Sequence, residues 1–184
     1  MFTTFRGGQS GGWRVTSISK VKGETLPRVA AVSIIASEAI ALPLLPSTTA
    51  WRLAGVTSYP RYTNRTEKEQ LDAQPVELGR PEASCAALIP IRKTVAWWNL
   101  APEERREIFE DKSHHIAGTL KYLPMIARQL FHSRDLGEPF DFLTWFEFAP
   151  EHTALFDELV AMLRATEEWS YVEREVDIRV VREE

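Results

Sequence analysis

The sequence predicts an α+β architecture in which an antiparallel sheet carries helices on one face. Three observations lead there. Residues 13–21 and 170–181 alternate apolar and polar side chains with the two-residue period of half-buried strands, and 140–148 (FDFLTWFEF) sets four phenylalanines and Thr144 on one face. Residues 151–166 repeat Leu155, Phe156, Leu159, Val160 and Leu163 at helical spacing. The elements run strands, helices, strand, helix, strand in a chain of 184 residues with 44% hydrophobic and 26% charged content, ordinary for a globular protein. That length suits one compact domain or two very small ones, and it buries a core without disulfide staples.

From the N-terminus, residues 1–12 are Gly-rich and lack the basic-then-apolar order of a signal peptide. The most apolar stretch, 29–45, contains Glu38 and Pro43 and is too short to span a bilayer. Both point to a cytoplasmic protein with no membrane partner. Residues 51–59 read as a strand, and 66–73 (TEKEQLDA) as a short exposed helix ended before Pro75. The run 86–91 (AALIPI) fits a buried strand that Pro90 confines to an edge or a strand end. Pro102, followed by Glu103 and Glu104, marks a helix start. Helical pattern then continues past Phe109 to Phe131, kinked or divided at Pro124.

Charge narrows the partners. The formal net charge is −4, and residues 151–184 alone carry ten acids against four bases, a poor surface for nucleic acid. A single cysteine, Cys85, excludes an internal disulfide and a cysteine metal cluster within one chain, and a small buried hydrophobe is its plainest role. P-loop, dinucleotide, GxSxG and HExxH signatures are all missing. Three site types stay open: carboxylates, a single histidine as in a haem protein, or none.

Within DKSHHIAGTLKYLP, His114 and His115 are read as mid-helix neighbours about 100° apart, so they do not share a metal ion. His115 lines up with Thr119 and Tyr122 on the inward side, His114 with Asp111 and Gly118 on the outward one. An inward histidine is either a hydrogen-bonded core residue or a ligand. Trp97 and Trp98 follow Lys93 closely and suit either core or the wall of a planar macrocycle site. Glu167 and Glu168 are read at a helix end, where the dipole disfavours acids, which leaves a solvated end or a local function.

The segments AALIPIRKTVAWW, ERREIFEDKSHHIAGTLKYLPMIARQL, GEPFDFLTWFEFAPEH and LRATEEWSYVEREVDIR, recurring in order between Ala86 and Glu175, resemble the short-chain branch of the chlorite dismutase family. The resemblance covers most of the chain and weakens before about Trp51. It implies haem b (iron protoporphyrin IX) as cofactor and ferredoxin-like units forming an antiparallel barrel with helices outside the sheet. It also implies a single haem-binding domain over 1–184 and a homodimer. The implied reaction turns chlorite, a small anionic substrate, into chloride and dioxygen.

In that family a distal arginine follows the iron-bound histidine by thirteen residues. His115 plus thirteen is Arg128, whereas His114 plus thirteen is Ala127. The resemblance therefore implies His115 as iron ligand and Arg128 as the catalytic cation. Glu168 matches the acceptor for the ligand's second ring nitrogen, and Lys93 its cationic partner. Trp97 matches a tryptophan packed near the haem, with Thr144, Phe146 and Leu123 as further lining. Coproheme decarboxylases and haem peroxidases of the same superfamily are the alternatives, with a non-catalytic haem-binding protein from another class. Arg128 and the short chain favour the dismutase.

Overall fold

A computed structural model describes residues 1–38, 48–57, 65, 66, 69 and 77–183. Eight strands form a closed antiparallel barrel: β1 (Phe2–Gly8), β2 (Trp13–Lys22), β3 (Ala31–Ser37), β4 (Trp51–Thr57), β5 (Cys85–Lys93), β6 (Ile126–His132), β7 (Phe142–Phe148) and β8 (Val172–Arg182). In each run of four, the first strand pairs with the third and the fourth, and the second with the third. Each half thus has the ferredoxin-like strand order. An extensive β2–β8 ladder joins the halves on one side, and a short β4–β6 ladder, Val56 with His132 and Thr57 with Phe131, closes the ring on the other.

The two-residue period sorts side chains between interior and exterior. Leu88 of β5, Leu143 and Trp145 of β7 and Val176, Ile178 and Val180 of β8 point inward to a core with Phe5, Trp13 and Phe131. There Trp145 packs edge-on against Trp13 at 5.1 Å, and its indole N–H donates to Glu147 at 2.8 Å. The exterior of the second half carries Ala87, Ile89, Phe146 and Phe148. Over it lies α4 (Thr153–Arg164), whose Phe156, Leu159 and Val160 complete a second core, with Phe156 stacked 4.6 Å from Phe148. Burying a side chain such as Phe156 contributes about 1.5–3 kcal/mol.

The β5–β6 connection contains α1 (Val95–Asn99), α2 (Pro102–Arg106), a π-helical turn Glu107–Lys112, α3 (His115–Thr119) and a 3₁₀ turn Leu120–Tyr122; α5 (Glu167–Ser170) precedes β8. No described helix is long and apolar enough to cross a membrane.

Several local expectations are corrected. The helix expected to reach Phe131 stops at Tyr122; the chain turns at Pro124 and continues as strand β6, so Arg128 lies on a strand. Pro90 is not at an edge, because β5 is paired on both sides; the β8 ladder skips Ile89 and Pro90, where the missing N–H costs no bond. Strands β1 and β3 lie where the sequence showed a Gly-rich leader and an apolar run. Phe140 precedes β7 and joins the barrel interior rather than the face of Phe142. The acids Glu175 and Asp177 are buried under α4, paired with Arg164. Most of the helix expected at 66–73 lies outside the described residues.

Candidate active site

The exterior of β5, β6 and β7 forms the floor of a cavity roofed by the helices, and Lys93, Trp97, His115, Leu123, Arg128, Thr144, Phe146 and Glu168 all line it. Register explains the floor. Arg128 faces Phe146 and Phe146 faces Ala87 in one rung; Leu130, Thr144 and Ile89 make the next, and His132, Phe142 and Ile91 a third. Lys93 lies one step further along β5. From Ala87 to Lys93 is six residues, about 20 Å at the rise of a strand. The charged groups therefore stand at opposite ends of an apolar floor.

At the Lys93 end three side chains interlock. The Lys93 ammonium bonds Glu168 Oε1 at 2.6 Å, and His115 Nδ1 lies 2.7 Å from Glu168 Oε2. Burial alone would raise the Glu168 carboxyl, but the charges of Lys93 and His115 and their hydrogen bonds outweigh it and hold it at about 2. Glu168 is therefore an acceptor only, so Nδ1–H of His115 donates to it, and Nε2 is the ring nitrogen left outside that bond. Among the described residues no group of three or more His, Cys, Asp or Glu side chains could hold a bare metal ion. His115 is a lone, oriented imidazole.

Neighbouring elements set that geometry. Lys93 ends β5, and its N–H donates to the buried Asp141 at 2.7 Å, which also accepts from the Trp98 indole at 3.2 Å. Thr94 caps α1, bringing Trp97 back so that the Lys93 ammonium lies 4.5 Å from its ring centroid. Arg105 donates to the carbonyls of Trp97, Trp98 and Leu100, closing the end of α1. The Glu168 N–H donates to Ser113 Oγ at 3.0 Å.

The placement of both sequence motifs differs from expectation. Glu167 and Glu168 open α5 behind the N-cap Thr166 instead of ending a helix, so the dipole favours them. The histidine doublet is not mid-helix: His114 is the left-handed residue (φ 49°) before α3, exposed, and His115 is the first helical residue. The inward assignment of His115 holds, through this break and not through a continuous helix face. Sequence reasoning missed Phe109, which stacks on the His115 ring at 4.2 Å and 22°, and Ser113. Neither carries a sequence signal, because both act through a π-helical turn.

At the other end Arg128 is alone. Among the described residues no carboxylate or other hydrogen-bond partner meets its guanidinium, and burial alone pushes its pKa down. Phe146 faces Arg128 across the ladder, Thr144 stands in the next rung, and Leu123 lines the same largely apolar cavity. An unpaired, always-protonated fork on such a wall has the chemistry to bind a small anion.

The chlorite dismutase family model matches residues 42–183. A crystal structure of dimeric chlorite dismutases from Nitrobacter winogradskyi shares 57% identity over 98% of this chain and 99% of that one, with a TM-score of 0.91. Chlorite dismutase from Candidatus Nitrospira defluvii in complex with imidazole shares 29% identity over 74% of this chain and 56% of that chain, with a TM-score of 0.61. The curated chlorite dismutase of Ideonella dechloratans is 40% identical over 62 residues, a match spanning 34% of this chain and 20% of that relative's length. With most of its length matched by the family model and its fold shared with a 57% identical relative, the chain belongs to the chlorite dismutase family.

Proposed function

We propose that this chain is a haem b-dependent chlorite dismutase that converts chlorite into chloride and dioxygen, acting as a cytoplasmic homodimer with one haem-binding domain per chain. One observation carries the reading: a single cavity holds an imidazole tied to a carboxylate at one end and an unpaired guanidinium at the other, with apolar surface between. The dimeric state is carried over from the Nitrobacter winogradskyi relative.

The donor set fits haem b. His115 offers Nε2 to an iron, and its bond to Glu168 makes that nitrogen a stronger donor. Trp97, Leu123, Thr144 and Phe146 supply largely apolar walls for a flat macrocycle, and Lys93 keeps Glu168 ionised. When bound, haem b supplies the redox-active iron at which the Cl–O bond breaks and the O–O bond forms. The chain's own work is orientation and confinement. Glu168 holds the ring of His115, Arg128 draws in the oxyanion and keeps it in place, and the apolar lining keeps water from a reactive oxychlorine fragment.

Adding chlorite to the haem-loaded protein in an oxygen-electrode cell should release close to one dioxygen per chlorite. A normal haem spectrum without oxygen release sinks the proposal and sends the protein to peroxidase and decarboxylase assays. A second expectation concerns Glu168. Glu168→Gln removes a negative charge 2.7 Å from the ligand ring, which disfavours the ferric state. The haem reduction potential should rise by roughly 60 mV or more, a tenfold change in a one-electron equilibrium. An unchanged potential in spectroelectrochemical titration would show that Glu168 does not tune the ligand.

A further inference from the structure

We propose that Glu110 is a positioning residue for His115: its carboxylate binds the first turn of α3 and fixes the imidazole. This rests on the reading of His115 as the iron ligand.

The chain breaks just before that ligand. His114 adopts a left-handed conformation (φ 49°, ψ 39°), and its side chain makes no cap for the helix that follows. A helix start leaves orphan N–H groups that an N-cap side chain ordinarily satisfies. Here Glu110, one turn back, does so. Its Oε2 accepts the Ile116 N–H at 2.6 Å and its Oε1 the Ala117 N–H at 3.1 Å. On the near side of the break, the His114 N–H donates to the Glu110 carbonyl at 2.9 Å. One residue therefore grips the backbone on both sides of the left-handed step.

Glu110 is only 7% exposed, so the two N–H groups supply hydrogen bonds that water would otherwise give its carboxylate. Its neighbour Phe109 stacks on the His115 ring. The π-helical turn Glu107–Lys112 thus presents two consecutive residues to the ligand: Phe109 to the ring face and Glu110 to the backbone beneath it. Glu168 fixes the imidazole through Nδ1; Glu110 fixes the Cα from which the ring projects.

The test compares haem-loaded parent, Glu110→Ala, Glu110→Gln and Glu104→Ala. Glu104 caps α2 through the Ala101 N–H at 2.7 Å, is exposed and is not among the residues lining the cavity, so it controls for the loss of a cap as such. The readouts are the iron–histidine stretching band of the ferrous protein by resonance Raman and the rate of haem transfer to a scavenging protein. Glu110→Ala should shift or broaden the band and release haem about tenfold faster, in the range of outer-shell substitutions. Glu110→Gln, which retains a carbonyl acceptor, should fall between, and Glu104→Ala should match the parent. A parent-like band and release rate in Glu110→Ala, or equal changes in Glu104→Ala, overturn the assignment. If alanine prevents folding, Glu110→Gln decides alone: faster release supports the role, and parent-like release ends it. A parent protein lacking a band that depends on His115 would overturn the haem reading itself, and this inference with it.

Discussion

His115→Ala is expected to remove the iron–nitrogen bond and lower chlorite turnover by more than about a hundredfold, because outer-shell changes at metal ligands already cost 10–100-fold. His114→Ala should keep both. The contrast follows from where the chain puts two adjacent histidines. His115 begins α3, lines the cavity, is stacked by Phe109 and gives its Nδ1–H to Glu168. His114 is exposed and held in a left-handed conformation, at a cost of roughly 1–2 kcal/mol for a residue with a Cβ. Losing the exposed ring removes nothing that the cavity uses. Losing His115 leaves the Glu168–Lys93 pair intact, with a gap where the ring stood. Added imidazole should then restore part of the absorption spectrum of the ligated iron. The reverse pattern, with His114→Ala losing ligation and His115→Ala retaining it, would overturn the ligand assignment.

How much of this was legible in the sequence depends on which period each segment obeys. Strand β2 and helix α4 each bury one face, and β8 keeps its apolar residues on the barrel side and its acids under α4, so alternation or a 3.6-residue stripe shows plainly; β7 is covered on both faces, yet its phenylalanines still recur every second residue. Strand β6 does not. Its outward residues Ile126, Arg128, Leu130 and His132 line the cavity, and Gln129 interrupts the inward set, so neither face is uniformly apolar. Coming straight after helical turns, it reads as more helix. Strand β1 hides behind glycines that packing requires: the Trp51 indole lies where a Cβ on Gly7 would stand. Within the site, the thirteen-residue offset found Arg128 despite the wrong element type, because an offset in the chain is indifferent to secondary structure. The Lys93–Glu168–His115 contact is long-range, spanning 75 and 53 residues, and periodicity has no reach at that distance.

Arg128→Ala should keep the haem and lose the chemistry. The guanidinium lies at the far end of the floor from His115 and bonds to nothing among the described residues, so its removal leaves the ligand end and the sheet undisturbed. In the free protein it is an isolated charge on a largely apolar wall. Burial lowers its pKa, yet the delocalised guanidinium remains a cation at neutral pH. In the proposed reaction an entering oxyanion would be the partner it lacks. A hydrogen bond to a charged group is worth about 1.5–3 kcal/mol, so its loss should slow turnover roughly 10–100-fold. Confinement should fail together with the rate. Without a cation to hold it, an oxychlorine fragment of the proposed reaction would leave the cavity, and a chlorination trap in the assay should colour. Arg128→Lys, which restores the charge as a point and not as a planar fork, should recover part of the rate and less of the confinement. If Arg128→Ala turned chlorite over at the parent rate with an unstained trap, Arg128 would not be the anion's partner, and its unpaired charge would need another explanation.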